Sequence, residues 1–123
     1  MSRTSLVGLA TPRIVHGCTV RNGSIGDVYV RVLYEPMRDQ QDSLHERRLE
    51  FQLPRGCQTK IPEERFNMGT YDIREAIRII EVTRSDGQIQ RIQAPFENVY
   101  GIELDWFFLI EDRNIKSVKS NRR

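Results

Sequence analysis

The stretch Ile77–Phe96 constrains the fold most, because it has the pattern of a β-hairpin with a defined turn. β-branched residues dominate both arms, and Ser85-Asp86-Gly87 lies between them. Asp-Gly between two such arms is a strong short-range hairpin signal. A three-residue loop with its glycine in the left-handed conformation would place Glu81 opposite Arg91, whereas a two-residue loop would place Glu81 opposite an isoleucine. The opposite charges favour the three-residue loop.

Short alternating segments continue on both sides of this hairpin. Val28–Tyr34 and Arg47–Leu53 alternate apolar and polar residues, and Pro, Gly and Asn cluster between such segments. A lone hairpin is not stable in water, so the other segments must cover it. The chain has about seven or eight short strands with turn signals roughly every 8–12 residues, which is typical of a sandwich. We therefore predict an all-β fold, an antiparallel two-sheet β-sandwich of immunoglobulin-like or C2-like architecture.

Residues 72–78 leave two alternatives open. Asp72 with Glu75 resembles a helix capping box, which favours one short helix. The β-branched residues that follow favour a strand that starts near Tyr71 and has a kink. We favour the strand.

The last predicted strand, Tyr100–Ile110, is apolar on both faces. The predicted core-facing residues of this strand are Tyr100, Ile102, Leu104, Trp106, Phe108 and Ile110. The rest of the predicted core comprises Val30, Val32, Leu49, Phe51 and Ile80. Phe107 and Leu109 then lie on the outer face, where polar residues are expected, with Glu103 and Glu111 at its rim. Exposed apolar residues of this kind need a cover, so these four residues form the predicted partner-binding surface.

At 123 residues the chain is predicted to form one domain, with charge unevenly distributed along it. Residues 1–26 contain three arginines and no acid, and residues 113–123 contain five basic residues and no acid. The middle of the chain holds 17 acids and 11 bases. We predict a flexible N-terminal arm over residues 1–11, the β-sandwich domain over residues 12–113 and a basic C-terminal tail over residues 114–123. An acidic body gives no strong nucleic-acid signal, although the tail could contact an anionic membrane.

The sequence contains no recognised catalytic or cofactor-binding motif, such as a P-loop, G-x-S-x-G or G-x-G-x-x-G. His16, Cys18, His45 and Cys57 are residue types that bind structural zinc, but they lack the close ligand pairs of tetrahedral sites. We predict no catalytic, cofactor-binding or metal-binding residues, and both cysteines reduced.

These observations favour a non-catalytic binding module for protein–protein association, with another protein or a second copy of the chain as partner. One alternative is a peripheral membrane or lipid-binding sandwich. Another is an enzyme whose site is not recognisable from sequence, for example around Cys57 and His45. Two cysteines and no secretory signal predict a cytoplasmic protein. The acid-free start leaves mitochondrial import as an alternative, although Arg3 and Arg13 are few for a transit peptide.

Overall fold

The computed structural model describes residues 11–119, and these residues form strands joined by turns and loops. The strands of the first half are β1 (Ile14–Val15), β2 (Cys18–Asn22), β3 (Val28–Tyr34), β4 (Met37–Arg38), β5 (Leu44–His45), β6 (Arg48–Leu53) and β7 (Gln58–Ile61). Those of the second half are β8 (Arg65–Asn67), β9 (Asp72–Arg74), β10 (Ile77–Arg84), β11 (Ile89–Gln93), β12 (Ile102–Glu103), β13 (Trp106–Ile110) and β14 (Ile115–Lys119). The prediction of an all-β fold is confirmed for this part of the chain. Residues 11–119 contain no helical segment with the length and apolar character of a membrane span.

Two four-stranded sheets carry most of the long strands. The first sheet has the order β11-β10-β3-β6 and the second has the order β14-β13-β2-β7. Three two-stranded sheets pair β1 with β12, β4 with β5 and β8 with β9. The first sheet is antiparallel, but β2 runs parallel to β13 and β1 runs parallel to β12. The prediction of antiparallel pairing is wrong at these two places, because apolar alternation along a strand carries no information on its neighbour's direction.

The predicted hairpin is confirmed in both its register and its turn. Glu81 is paired with Arg91 across β10 and β11. The Gly87 amide donates to the carbonyl of Arg84 at 2.8 Å, and the Arg84 amide donates to the carbonyl of Gln88 at 2.8 Å. Gly87 has φ of 91°, in the left-handed region that a residue without Cβ occupies at little cost. The residues of the turn therefore predicted how β10 and β11 pair.

The alternative of a short helix near residues 72–78 is wrong. Asp72–Arg74 pairs with Arg65–Asn67, and Ile77–Arg84 pairs with β3. A β-bulge between Ile77 and Ile79 interrupts the second pairing. The β-branched residues gain more from ladder pairing and burial than a single helical turn could offer them.

One hydrophobic cluster takes side chains from both four-stranded sheets. Its buried members include Val20, Trp106, Phe108 and Ile110 of the second sheet and Val30, Val32, Ile80 and Val82 of the first. Leu49 and Phe51 are partly buried and pack against this cluster. Most of the predicted core residues therefore belong to this cluster or pack against it.

The predicted last strand is divided into β12 and β13. The chain bends at Leu104 and Asp105, so β12 pairs with β1 while β13 pairs with β2 and β14. Tyr100, Ile102 and Leu104 are 69%, 54% and 43% exposed, so their predicted place in the core is wrong. Alternating residues share one face only along a continuous strand, and the bend gives the two halves of this segment different orientations.

The second sheet continues beyond residue 113, since Ile115–Lys119 pairs antiparallel with β13. Part of the segment predicted as a basic tail is therefore an edge strand. Residues 1–10 and 120–123, which belong to the predicted arm and tail, lie outside the described residues.

Candidate functional site

Phe107 and Leu109 lie on the outer side of the second sheet. They alternate along β13 with Trp106, Phe108 and Ile110, which are buried in the core. Both outer side chains are half-buried. The sequence predicted this orientation from alternation alone.

The two predicted rim acids lie in different places. Glu111 follows β13 directly and lies 3.8 Å from the Nζ atom of Lys116. Glu103 lies on β12, opposite Val15, and is outside the four-stranded sheet. The structure therefore brings Phe107, Leu109 and Glu111 to one sheet, while Glu103 belongs to a separate strand pair.

The strand register adds six further residues around Phe107 and Leu109. One cross-strand row reads Lys60, Thr19, Phe107, Val118, and the next reads Gln58, Arg21, Leu109, Lys116. These eight residues are called the β13 face below. Its centre is apolar, and its cations lie on three different strands.

The positive charge of the β13 face is largely uncompensated. The eight residues include three cations and no acid. Arg21 donates to the side-chain amide oxygen of Gln58 at 3.4 Å, and neither Arg21 nor Lys60 has an ion pair within residues 11–119. Of these three cations, Lys116 alone forms an ion pair among the described residues, with the Glu111 carboxylate beyond the end of β13.

The outer side of the first sheet has the opposite character. One row across its four strands reads Arg91, Glu81, Arg31, Glu50, so cations and anions alternate. Arg31 and Arg91 donate to the two oxygens of Glu81 at 3.0 and 2.8 Å, respectively. This face neutralises its own charge, and the β13 face does not.

Glu81 is buried by its neighbours on this charged row. The hydrogen bond from Arg91 holds the pKa of Glu81 below its ordinary value of 4.5. Burial raises this pKa, but the positive charges of Arg31 and Arg91 also lower it. Because the folded pKa is lowered, Glu81 stabilises the fold above pH 4.5. This contribution is lost as the pH falls below 4.5 through the folded pKa.

We therefore expect Glu81→Gln to lower the free energy of unfolding by about 2 kcal/mol at pH 7, since two charge-assisted hydrogen bonds are weakened. Urea denaturation of wild type and variant at pH 7 and pH 3 measures the effect. The difference between the two proteins should shrink at pH 3. Glu97→Gln, a change at an exposed carboxylate, serves as the control. An equal loss at both pH values would contradict the role of the charge.

A cluster of polar groups connects the segment between β1 and β2 with the end of the first sheet near β3 and β6. The Nδ1 atom of His16 lies 2.7 Å from the carbonyl oxygen of Glu75, and the carboxylate of Glu75 pairs with Arg47. The guanidinium of Arg47 lies 5.0 Å from the ring centre of Tyr34. Burial raises the pKa of Tyr34 to about 12, which the nearby charge of Arg47 opposes. The phenol therefore stays protonated at neutral pH.

The residues considered for zinc or for a Cys–His pair are dispersed. Burial, followed by the charge of Asp105, raises the pKa of Cys18 to about 12, so its thiol is a poor nucleophile or metal ligand at neutral pH. Cys57 is exposed after β6, and His45 lies 2.8 Å from the Asp39 carboxylate. No group of three or more His, Cys, Asp or Glu within the described residues is arranged to hold a metal ion.

The sequence predicted the positions of Phe107 and Leu109 on the β13 face, but it indicated neither Val118 nor the cations of this face. Arg21, Lys60 and Lys116 lie far apart in sequence, and only the pairing of β2, β7 and β14 around β13 brings them together. Each of these cations lies at an outward position of its own alternating strand, and this was the signal available in the sequence.

Comparison with models of protein families, with curated proteins and with solved structures finds no match to this chain.

Proposed function

We propose that this chain is a non-catalytic binding module that associates with a protein partner through the β13 face. The proposed architecture is a β-sandwich in which the two four-stranded sheets pack face to face. Its support is the common hydrophobic cluster, to which alternate residues of both sheets contribute. Each sheet then has one outward side, and these two sides differ in charge.

The observation that carries the proposal is the uncompensated charge of the β13 face around an apolar centre. Phe107, Leu109 and Val118 provide adjacent apolar contacts, and Arg21, Lys60 and Lys116 provide positive charge around them. Protein interfaces commonly combine an apolar centre with a polar rim. Charge complementarity then selects the partner, so the expected partner surface is acidic with an apolar centre.

A sheet of this kind is better suited to a protein than to a bilayer. Phe107 and Leu109 are half-buried in the sheet surface and do not project from a loop tip. Insertion into lipid requires apolar groups that reach beyond the headgroup region. Lipid binding is therefore the alternative that the experiment described next must distinguish from protein binding.

Phe107→Glu is expected to leave the monomer folded and to weaken association by about 30-fold or more, as for loss of a central aromatic anchor. The measurements are sedimentation velocity for self-association, and pull-down with mass spectrometry for other partners. Binding should also weaken as salt is raised, because the rim contacts are electrostatic.

Ile89→Glu is the matched control, because it adds the same charge at an exposed apolar residue on the outer side of the first sheet. It should retain all partners. If both variants keep the same partners and the same sedimentation as wild type, the β13 face is not the binding surface. Loss of binding to anionic vesicles only, with protein partners retained, would favour the lipid-binding alternative.

A further inference from the structure

Arg78 differs from the other arginines on the first sheet because its side chain has neither an ion pair nor a hydrogen bond within residues 11–119, whereas Arg84 donates to Gln90 and the others pair with acids. Its Nε atom is buried, and no hydrogen-bond acceptor among the described residues faces it. A buried donor without a partner costs free energy. The side chain is half-buried, so it is held near the sheet surface without being tied to an acid.

Arg78 is the extra residue of the β-bulge in β10. Ile77 pairs with Tyr34 and Ile79 with Leu33, so two steps along β10 match one step along β3. A bulge of this kind redirects a side chain, and bulges are frequent beside functional sites. Here it adds a cation at the end of the first sheet.

This cation borders a pocket of about 200 Å³. The residues that line it are Leu33, Tyr34, Pro36, Glu46, Arg47, Arg48 and Arg78. This cavity is called the Arg78 pocket below. Tyr34 is almost fully buried, and its hydroxyl also lacks a hydrogen-bond partner among the described residues.

The charges of the Arg78 pocket favour an anion. Arg47 pairs with Glu75 and Arg48 with Glu50, but each contact uses only part of a guanidinium group that has five donors. Arg78 has no such pair among the residues that the structure describes. Glu46 is exposed, so solvent screens much of its repulsion. Arginine donors in a fixed fork match the oxygens of phosphate and carboxylate groups.

We propose that the Arg78 pocket binds a small organic phosphate, with the phosphate on Arg78 and the organic part against Leu33 and Pro36. Three guanidinium groups around one pocket exceed what a single carboxylate needs, whereas a phosphate monoester carries up to two charges and three acceptor oxygens. This proposal is independent of the β13 face, since Arg78 lies on the first sheet.

The test is a titration of the full chain with three probes, in which NMR chemical shifts of the backbone amides report binding. The probes are phenyl phosphate, inorganic phosphate and benzoate. We expect phenyl phosphate to bind with a Kd on the order of 1 mM or below and to shift amides around Arg78, Leu33 and Arg48. Inorganic phosphate should bind more weakly because it has no organic part to contact the apolar wall.

Arg78→Gln should weaken phenyl phosphate binding at least tenfold. It should fold normally, since the wild-type side chain makes no ion pair within the described residues. Arg113→Gln, which removes the same charge at an exposed site, should leave binding within about twofold of wild type. Equal binding by wild type and Arg78→Gln, or shifts spread over other basic surfaces, would overturn the site. Tighter binding of benzoate than of phenyl phosphate would overturn the assignment to phosphate.

Discussion

Phe108→Ala should lower the free energy of unfolding by about 3–5 kcal/mol, the range for removing a large side chain from a packed core. Phe108 is 0% exposed and lies in the central strand pair of the second sheet. Its ring packs edge-on against Phe96, with ring centres 4.9 Å apart. The substitution would remove this contact and leave a cavity in the hydrophobic cluster to which both sheets contribute. Urea denaturation at pH 7 measures the loss.

Leu104→Ala is the control for this prediction, because sequence alternation assigned both residues to the same core face. Leu104 is exposed beyond the bend in the chain, so its substitution should cost less than about 1 kcal/mol. Similar losses for the two variants would contradict the division of this segment into β12 and β13. A loss below about 1 kcal/mol for Phe108→Ala would contradict its burial.

Gly17→Ala should lower the free energy of unfolding by about 3 kcal/mol, through overpacking rather than through a cavity. Gly17 connects β1 to β2 at the level where the chain also bends between β12 and β13. A Cβ atom there would lie 2.6 Å from the carbonyl oxygen of Leu104 and 2.9 Å from the amide nitrogen of Glu63. Both obstacles are backbone atoms, so the neighbouring chain segments would have to move apart.

Gly101→Ala is the matched control, since a Cβ atom at that position would meet nothing within 4 Å. It should change stability by less than about 1 kcal/mol. Denaturation midpoints of both variants, measured with the same urea series, separate the steric effect at Gly17 from the general effect of replacing glycine. Equal midpoints for the two variants would contradict the close backbone approach.

Local chemistry explains which features of the fold were predictable. The turn at Gly87 and the pairing of Glu81 with Arg91 depend on residues close together in the chain, and both are as predicted. Alternation also placed Phe107 and Leu109 opposite the core, since neighbouring side chains of a strand point to opposite sides. These features require no knowledge of which distant strands are neighbours.

Strand alternation failed at Leu104 because a periodic pattern does not show where a strand bends. The bend arises where Gly17 allows the backbone of the neighbouring segment to approach closely, a contact between residues far apart in the chain. The charge of the β13 face likewise depends on β7 and β14 flanking the β2–β13 pair.

The amino-acid order thus specified the all-β class, the hairpin and the outward orientation of Phe107 and Leu109, because short-range sterics and alternation act within one segment. Long-range pairing brought Arg21, Lys60 and Lys116 to one face and gathered three arginines around the Arg78 pocket. Strand order and register result from the packing of the whole chain, and residues distant in sequence become neighbours only through that packing.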